Sequence, residues 1–421
     1  MTALRASVLL LGAAARSLAQ APPPPSPTLY LQPTDAKVQY FGRVDHSVPS
    51  EPRFAWVMTG VGASFQAPMP GATLYGNFTA PKDGARLRVM VNGKLSSIIK
   101  LGKKSGMTQY ALASNLAVGS HTVEVLKVTE DNTNNNRRRL EGSGGNKKEK
   151  GTMSFGGFAL TGFAAFAPPP PPLARKLEFI GDSDTAGWCA DGSAQTGDSP
   201  DKYQDAYQTW AQQIARNVSA ATTVEAVSGY GVMSRTPAIQ PVMDYTLGFD
   251  TATSWDYHSW VPDAVVILIG PNDEVVLDSD TASAKFIQAY LQMLDQISTN
   301  CKRNSSFESS HQAVEASCCT DHGVPTPPKI IHVCGGSLNG LDPCADIQKA
   351  NDQYNALGKP MRGFYTTIDV DHWQTINGCR SGNRHCNGKS QYNGCDGHYN
   401  VDGHAVLAGD ILPQLRQIMS W

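Results

Sequence analysis

Leu177-Glu178-Phe179-Ile180-Gly181-Asp182-Ser183-Asp184 decides the fold and points at the chemistry. Its first half is a short apolar run that stops at a glycine, as a buried strand does. Ala264-Val265-Val266-Ile267-Leu268-Ile269, followed by Gly270, repeats the pattern, and so does Lys329-Ile330-Ile331-His332-Val333. Helix-like segments separate and follow these runs: Tyr203 to Asn217, Ser283 to Thr299, Ile347 to Leu357 and Val401 to Ser420. Buried strands alternating with helices predict an α/β domain over 175–421, with a parallel sheet covered on both faces. In open sheets of this kind, active sites collect where strands end and loops begin. The chemistry should therefore follow the apolar runs.

Working toward the N-terminus, Pro168 to Pro172 cannot continue a helix or a central strand, and marks a linker over 167–174. Before it, residues 29–166 read as all-β. Thr73 to Phe78, Leu87 to Val91 and His121 to Leu126 alternate or are β-branched, and Asn92-Gly93, Asp83-Gly84 and Gly119-Ser120 supply turns. Short strands at this spacing predict a β-sandwich. An insertion at about 131–150 holds an Asn run, Arg137-Arg138-Arg139 and Lys147-Lys148. It has almost no apolar residue to bury, so it reads as a disordered surface loop rather than a nucleic-acid patch. A proline-rich spacer occupies 20–28. Residues 1–19 read as a signal peptide: Arg5, then apolar Val8 to Ala15, then Ser17-Leu18-Ala19 at the cleavage site.

Whole-chain properties agree. The 421 residues exceed one ordinary core, so two domains are expected. A formal net charge of -2 gives no electrostatic case for nucleic acid or an anionic membrane. The apolar N-terminal run is far shorter than the roughly 20 residues that span a bilayer. A secreted protein is expected, with sequons at Asn77, Asn217 and Asn304. Nine cysteines lie between Cys189 and Cys395, which in an oxidising compartment predicts disulfides and one thiol left over. Cys379, Cys386 and Cys395 are expected to staple the Gly-rich loop before the C-terminal motif. No CxxC pair is present and Cys318-Cys319 is a poor ligand spacing, so no metal is expected, and the hydroxyl chemistry considered next requires no organic cofactor.

Four stretches carry chemistry. Gly181-Asp182-Ser183 can present a hydroxyl at a strand-to-helix turn. Ser228-Gly229-Tyr230-Gly231 and Gly270-Pro271-Asn272-Asp273 can supply donors to an oxyanion. In Cys395-Asp396-Gly397-His398-Tyr399-Asn400, a carboxylate two residues before a histidine can orient the imidazole. Each stretch alone also reads as an ordinary turn, and Asp402-Gly403-His404 repeats the last spacing.

Their order resembles the SGNH hydrolase superfamily, and most closely carbohydrate esterase family 2. That family joins an N-terminal jelly-roll sandwich to a flavodoxin-like SGNH domain. The resemblance extends into the first domain through Tyr40-Phe41-Gly42-Arg43, Asn115 to His121 and Leu126-Lys127-Val128-Thr129-Glu130. It implies Ser183 as nucleophile, His398 as general base and then acid, and Asp396 as its orienter. It implies an oxyanion hole from the N–H of Ser183, the N–H of Gly229 and the Asn272 amide. His404 then reads as a structural residue opening the last helix. This sequence departs from the family at Asp184, Gly397 and Tyr399, where an Ile, an aromatic and a proline are usual. Trp188, Trp373 and Tyr399 are candidates to stack on a sugar. The implied activity is removal of acetyl groups from a polysaccharide such as xylan or mannan, by a protein expected to be a monomer. A lipase or phospholipase and a carbohydrate-binding protein with little turnover are the alternatives.

Overall fold

The computed structural model describes residues 28–81, 84–102, 106–130, 152–193, 200–233, 238–276, 280–300, 327–334, 343–369, 372, 390–395 and 398–421. The expected signal peptide, the 131–150 insertion, Asn304, Trp373 and Asp396 lie outside them.

The first domain is a sandwich of two antiparallel sheets. One sheet joins β1 (Leu29–Leu31), β10 (Met153–Thr161), β5 (Ala72–Thr79) and β8 (Thr108–Leu116) in that order, with β3 (Arg53–Phe54) against β10. The other joins β11 (Ala165–Ala167), β4 (Gly60–Ala67), β9 (Gly119–Lys127), β6 (Ala85–Val91) and β7 (Lys94–Leu101), with β2 (Gln39–Phe41) against β4. Alternation drives the folding of β5: Ala72, Leu74, Gly76 and Phe78 point inward, and the residues between them are half-buried. Leu74, Phe78, Leu87, Val89, Val123, Val125, Phe155 and Phe158 close one core between the sheets. The expected turn at Asn92-Gly93 joins β6 to β7, and both residues take positive φ, 51° and 74°. A two-residue hairpin of this type needs that backbone, which Asn and Gly adopt at least cost.

The second domain carries a five-stranded parallel sheet in the order β13 (Ala220–Ala226), β12 (Arg175–Gly181), β14 (Ala264–Leu268), β15 (Lys329–Cys334), β16 (Gly363–Thr367). Successive side chains divide between two cores. Leu177, Phe179, Val266 and Ile331 face α2 (Trp210–Asn217) and α5 (Val401–Met419). Ile180, Val265, Ile267 and Ile330 face α3 (Asp280–Asn300) and α4 (Cys344–Ala356). A sheet buried on both faces explains why its strands read as apolar runs rather than alternating ones. The segment expected as one helix from Tyr203 breaks at Thr209, whose hydroxyl caps α2 through Gln212 N–H.

The two domains share buried charge. Strand β6 is buried on both faces, because Leu87 and Val89 enter the sandwich core while Arg86 and Arg88 face the second domain. Arg86 pairs with Asp191 at 2.6 Å and donates to Gln204 O at 2.6 Å, and Arg88 pairs with Asp205. Arg43, fully buried, reaches Glu178 on β12 at 2.7 Å and Glu225 on β13 at 2.8 Å. Its guanidinium lies over the rings of Trp255 and Tyr257. Buried ions are tolerated only when paired in this way, so the partners of this cluster depend on one another.

Candidate active site

The strand order places a switch point between β12 and β14, the position where open α/β sheets bind ligands. Register brings the site loops to one level there. Gly181 lies opposite Ala226 on one side and Leu268 on the other, so Ser183, Gly229 and Asn272 follow strand ends of equal height. His398 arrives from the loop before α5.

Ser183 opens the short helix α1 (Ser183–Ala186). Asp182 caps it, accepting Asp184 N–H through its side chain at 3.2 Å. Gly181 is required by space, since a Cβ would sit 2.2 Å from Thr185 Oγ1 and 2.8 Å from Leu268 O. Asn272 Nδ2 donates to Tyr230 O at 2.9 Å and to Asp182 Oδ2 at 3.3 Å. Asp273, the next residue, is buried and accepts the N–H groups of Val232 and Met233 at 2.8 and 2.9 Å. Asn-Asp thus clamps the loop that carries Gly229 from two sides. Gly229 has φ +77° and Gly231 has no room for a Cβ, which would lie 2.4 Å from the Asp273 carboxylate.

His398 Nε2 lies 2.8 Å from Ser183 Oγ, hydrogen-bond distance for a base and the nucleophile it would activate. A disulfide from Cys395 to Cys189 ties the histidine loop to the segment just after α1. Gly394 packs so closely there that a Cβ would come 2.2 Å from Cys189 O. Asn400 completes the anchorage. Its Oδ1 caps α5 through the N–H groups of Asp402 and Gly403, and its Nδ2 donates to Gln391 O at 2.7 Å. The Trp188 ring stands 6.3 Å from the His398 ring and is itself buried with Cys189 and Cys395.

Burial sets the charge states nearby. It raises the Asp182 carboxyl well above the usual range, and the negative charge of Asp184 pushes the same way. Asp184 is raised too, again by burial, with His398 pulling in the opposite direction. This departure from the family thus places a second buried carboxyl beside the nucleophile.

One sequence expectation needs correction. Tyr399 is 2% exposed and packs edge-on against His404 in the core, so it offers no face to a sugar. Cys395, one of the cysteines expected to staple the loop before the C-terminal motif, is bonded to Cys189; Cys379 and Cys386 lie outside the described residues. His332 and His404 are fully buried, whereas His372 is exposed and paired with Asp410 at 2.8 Å. His404 has no hydrogen-bond partner for its ring nitrogens among the described residues. Within the described residues the site gathers Ser183, Gly229, Asn272, His398 and Trp188, and no group of three metal-ligating side chains occurs.

The two buried imidazoles carry a prediction. Burial lowers each pKa from the ordinary 6.5 to about 3. Between those values the unfolded chain binds protons that the folded protein refuses, so stability falls as pH drops below 6.5. Each histidine should contribute a loss of about 1.4 kcal/mol per pH unit. Urea midpoints should fall clearly from pH 7 to pH 5, and less so in His332→Gln and His404→Gln. Equal midpoints at both pH values in the parent protein would rule this out.

Residues 179–406, more than half of the chain, match the GDSL-like lipase/acylhydrolase family. The chain belongs to that family. Residues 40–137 match the carbohydrate esterase 2 N-terminal family, so both halves of the expected two-domain arrangement are present. A cellulase/esterase, CelE, of Acetivibrio thermocellus is 29% identical over 272 residues, which cover 62% of this chain and 30% of that protein. This chain therefore spans less than a third of that relative. An acetylxylan esterase / glucomannan deacetylase of Cellvibrio japonicus is 23% identical across 94% of this chain and 93% of its own length. Among solved structures, a family two carbohydrate esterase from Clostridium thermocellum in complex with cellohexaose superposes with a TM-score of 0.70. It is 23% identical and covers 91% of this chain and 99% of that one, a likeness of fold.

Proposed function

We propose that this protein is a secreted carbohydrate O-acetyl esterase acting on an acetylated polysaccharide such as xylan or mannan. The observation that carries the reading is the 2.8 Å contact between Ser183 Oγ and His398 Nε2, at the switch point of the parallel sheet. Ser183 Oγ attacks the acetyl carbonyl carbon as His398 Nε2 takes its proton. The carbonyl oxygen becomes an anion held by the N–H groups of Ser183 and Gly229 and by Asn272. For Asn272 to contribute, its longer contact, to Asp182, is exchanged for the oxyanion. The tetrahedral species expels the sugar oxygen, which receives the proton from His398. Water, deprotonated by His398, then releases acetate and restores Ser183. Asp396 orients His398 in this scheme. Trp188 and Trp373 remain the candidates to face the sugar.

The relatives' names support the acetyl group and the glycan, and the matched N-terminal family supports a carbohydrate substrate over a lipid one. Two disulfides, Cys189–Cys395 and Cys334–Cys344, favour an oxidising compartment, and Asn217 is exposed at the end of α2 for glycosylation. An acetate-release screen decides the reading. Acetylated xylan and acetylated glucomannan should yield acetate, and long-chain acyl esters should be poor substrates. Preference for long chains would favour a lipase-type esterase, and glycan binding with no acetate released would favour a binding protein.

A further inference from the structure

Glu130 lies just beyond β9, at the edge of the sandwich, and its carboxylate leaves that domain. Both of its oxygens accept Ser228 N–H at 3.3 Å, and Oε2 accepts the Ser228 hydroxyl at 2.8 Å. Gln204, itself buried, links this carboxylate to the nucleophile's helix. Its Nε2 donates to Glu130 Oε2 at 3.2 Å and to Ala186 O at 3.1 Å, while its Oε1 accepts Glu130 N–H at 3.2 Å. Ala186 closes α1, which begins with Ser183. Ser228 immediately precedes Gly229, and the turn between them is closed by Tyr230 N–H on Val227 O at 3.2 Å.

The bonds therefore run from the residue before Gly229, through a sandwich carboxylate, to the helix of Ser183. The Arg43, Arg86 and Arg88 pairs hold the domains together without touching this loop. We propose that Glu130 is a positioning residue of the active site, setting the Gly229 N–H against Ser183, so that the oxyanion hole is built by both domains. This rests on the esterase reading above. The physical argument is alignment. An oxyanion donor acts through its direction, and Gly229, at φ +77°, has no side chain of its own to set that direction. Two donors of Ser228 fixed on one carboxylate orient the peptide that leads into it. The carboxylate's own charge is absorbed by those donors and by Gln204.

The test compares kcat and KM for 4-nitrophenyl acetate, and the affinity of phenylboronic acid, which adds to a catalytic serine as a tetrahedral adduct. The proteins are wild type, Ser183→Ala, Glu130→Ala, Glu130→Gln and Ser228→Ala. Misplacing a donor by a fraction of an ångström to an ångström costs up to about 100-fold, so Glu130→Ala should lose about 10- to 100-fold in kcat with KM nearly unchanged. Phenylboronic acid should weaken in parallel, because both readouts need the aligned hole. Glu130→Gln keeps an acceptor for Ser228 and should recover most of the loss. Should Glu130→Ala fail to fold, Ser228→Ala carries the same comparison, with the carboxylate and the interface intact and a smaller expected loss. A folded Glu130→Ala, or in its place Ser228→Ala, with wild-type kcat and boronate affinity would overturn the inference alone. Wild type no more active than Ser183→Ala would overturn the esterase reading and this inference with it.

Discussion

Ser183→Ala is expected to lower kcat for acetyl ester hydrolysis on the order of 10⁶-fold, the scale on which serine hydrolases fail without their nucleophile. In the proposed mechanism the hydroxyl is the atom that bonds the acyl group, and the helix behind it offers no substitute: Asp182 is buried as the cap and Thr185 is buried behind Gly181. His398→Ala should cost about as much, because serine without its base is a poor nucleophile near neutral pH. The double variant should lose little more than either single one, since the pair acts as a unit. Steady-state rates with 4-nitrophenyl acetate, set beside circular dichroism to confirm folding, measure this. Affinity for a glycan should survive in all three variants. A Ser183→Ala protein with undiminished turnover would refute the mechanism.

Asn272→Ala should lower kcat by about 10²- to 10³-fold, the usual cost of one oxyanion donor. In the proposed mechanism the amide meets charge that develops only during reaction, so KM should move little. The residue also holds Tyr230 O at 2.9 Å, and part of the loss comes from loosening the Gly229 loop. Asp273 restrains that loop independently through Val232 and Met233, which keeps the variant folded. Pre-steady-state acetylation rates separate the two contributions from product release. A loss below about tenfold would assign the oxyanion to the backbone N–H groups, which supply the rest of the hole.

Much of this was legible because buried parallel strands leave unbroken apolar runs. β12, β14 and β15 stand out in that way, and the glycines that stop β12 and β14 mark where loops can approach each other. β16, Gly-Phe-Tyr-Thr-Thr at the edge of the sheet, is short and half-exposed and left no such run. The order β13-β12-β14-β15-β16 is a property of pairing, which composition along the chain does not encode. Tyr399 was misplaced for a local reason. The segment is extended, with a bridge between Asn393 and Tyr399, and successive side chains of an extended segment point to opposite faces. With His398 directed at Ser183, its neighbour must enter the core. The partner of Cys395 was not legible, because nearness in sequence says nothing about which sulfur comes near in space. Glu130 stood in a matched stretch, but its partner Ser228 is 98 residues further on, and a single charge announces no partner.

The Cys189–Cys395 bridge spans 206 residues, and it has a consequence for how the molecule comes into being. Synthesis runs from the N-terminus, so the sandwich and Ser183 emerge from the ribosome well before Cys395 and His398 exist. A growing chain can fold its first domain and still hold an incompetent nucleophile. Ser183 meets His398 only when the final stretch docks, and the bridge then ties that stretch to the segment beside Ser183.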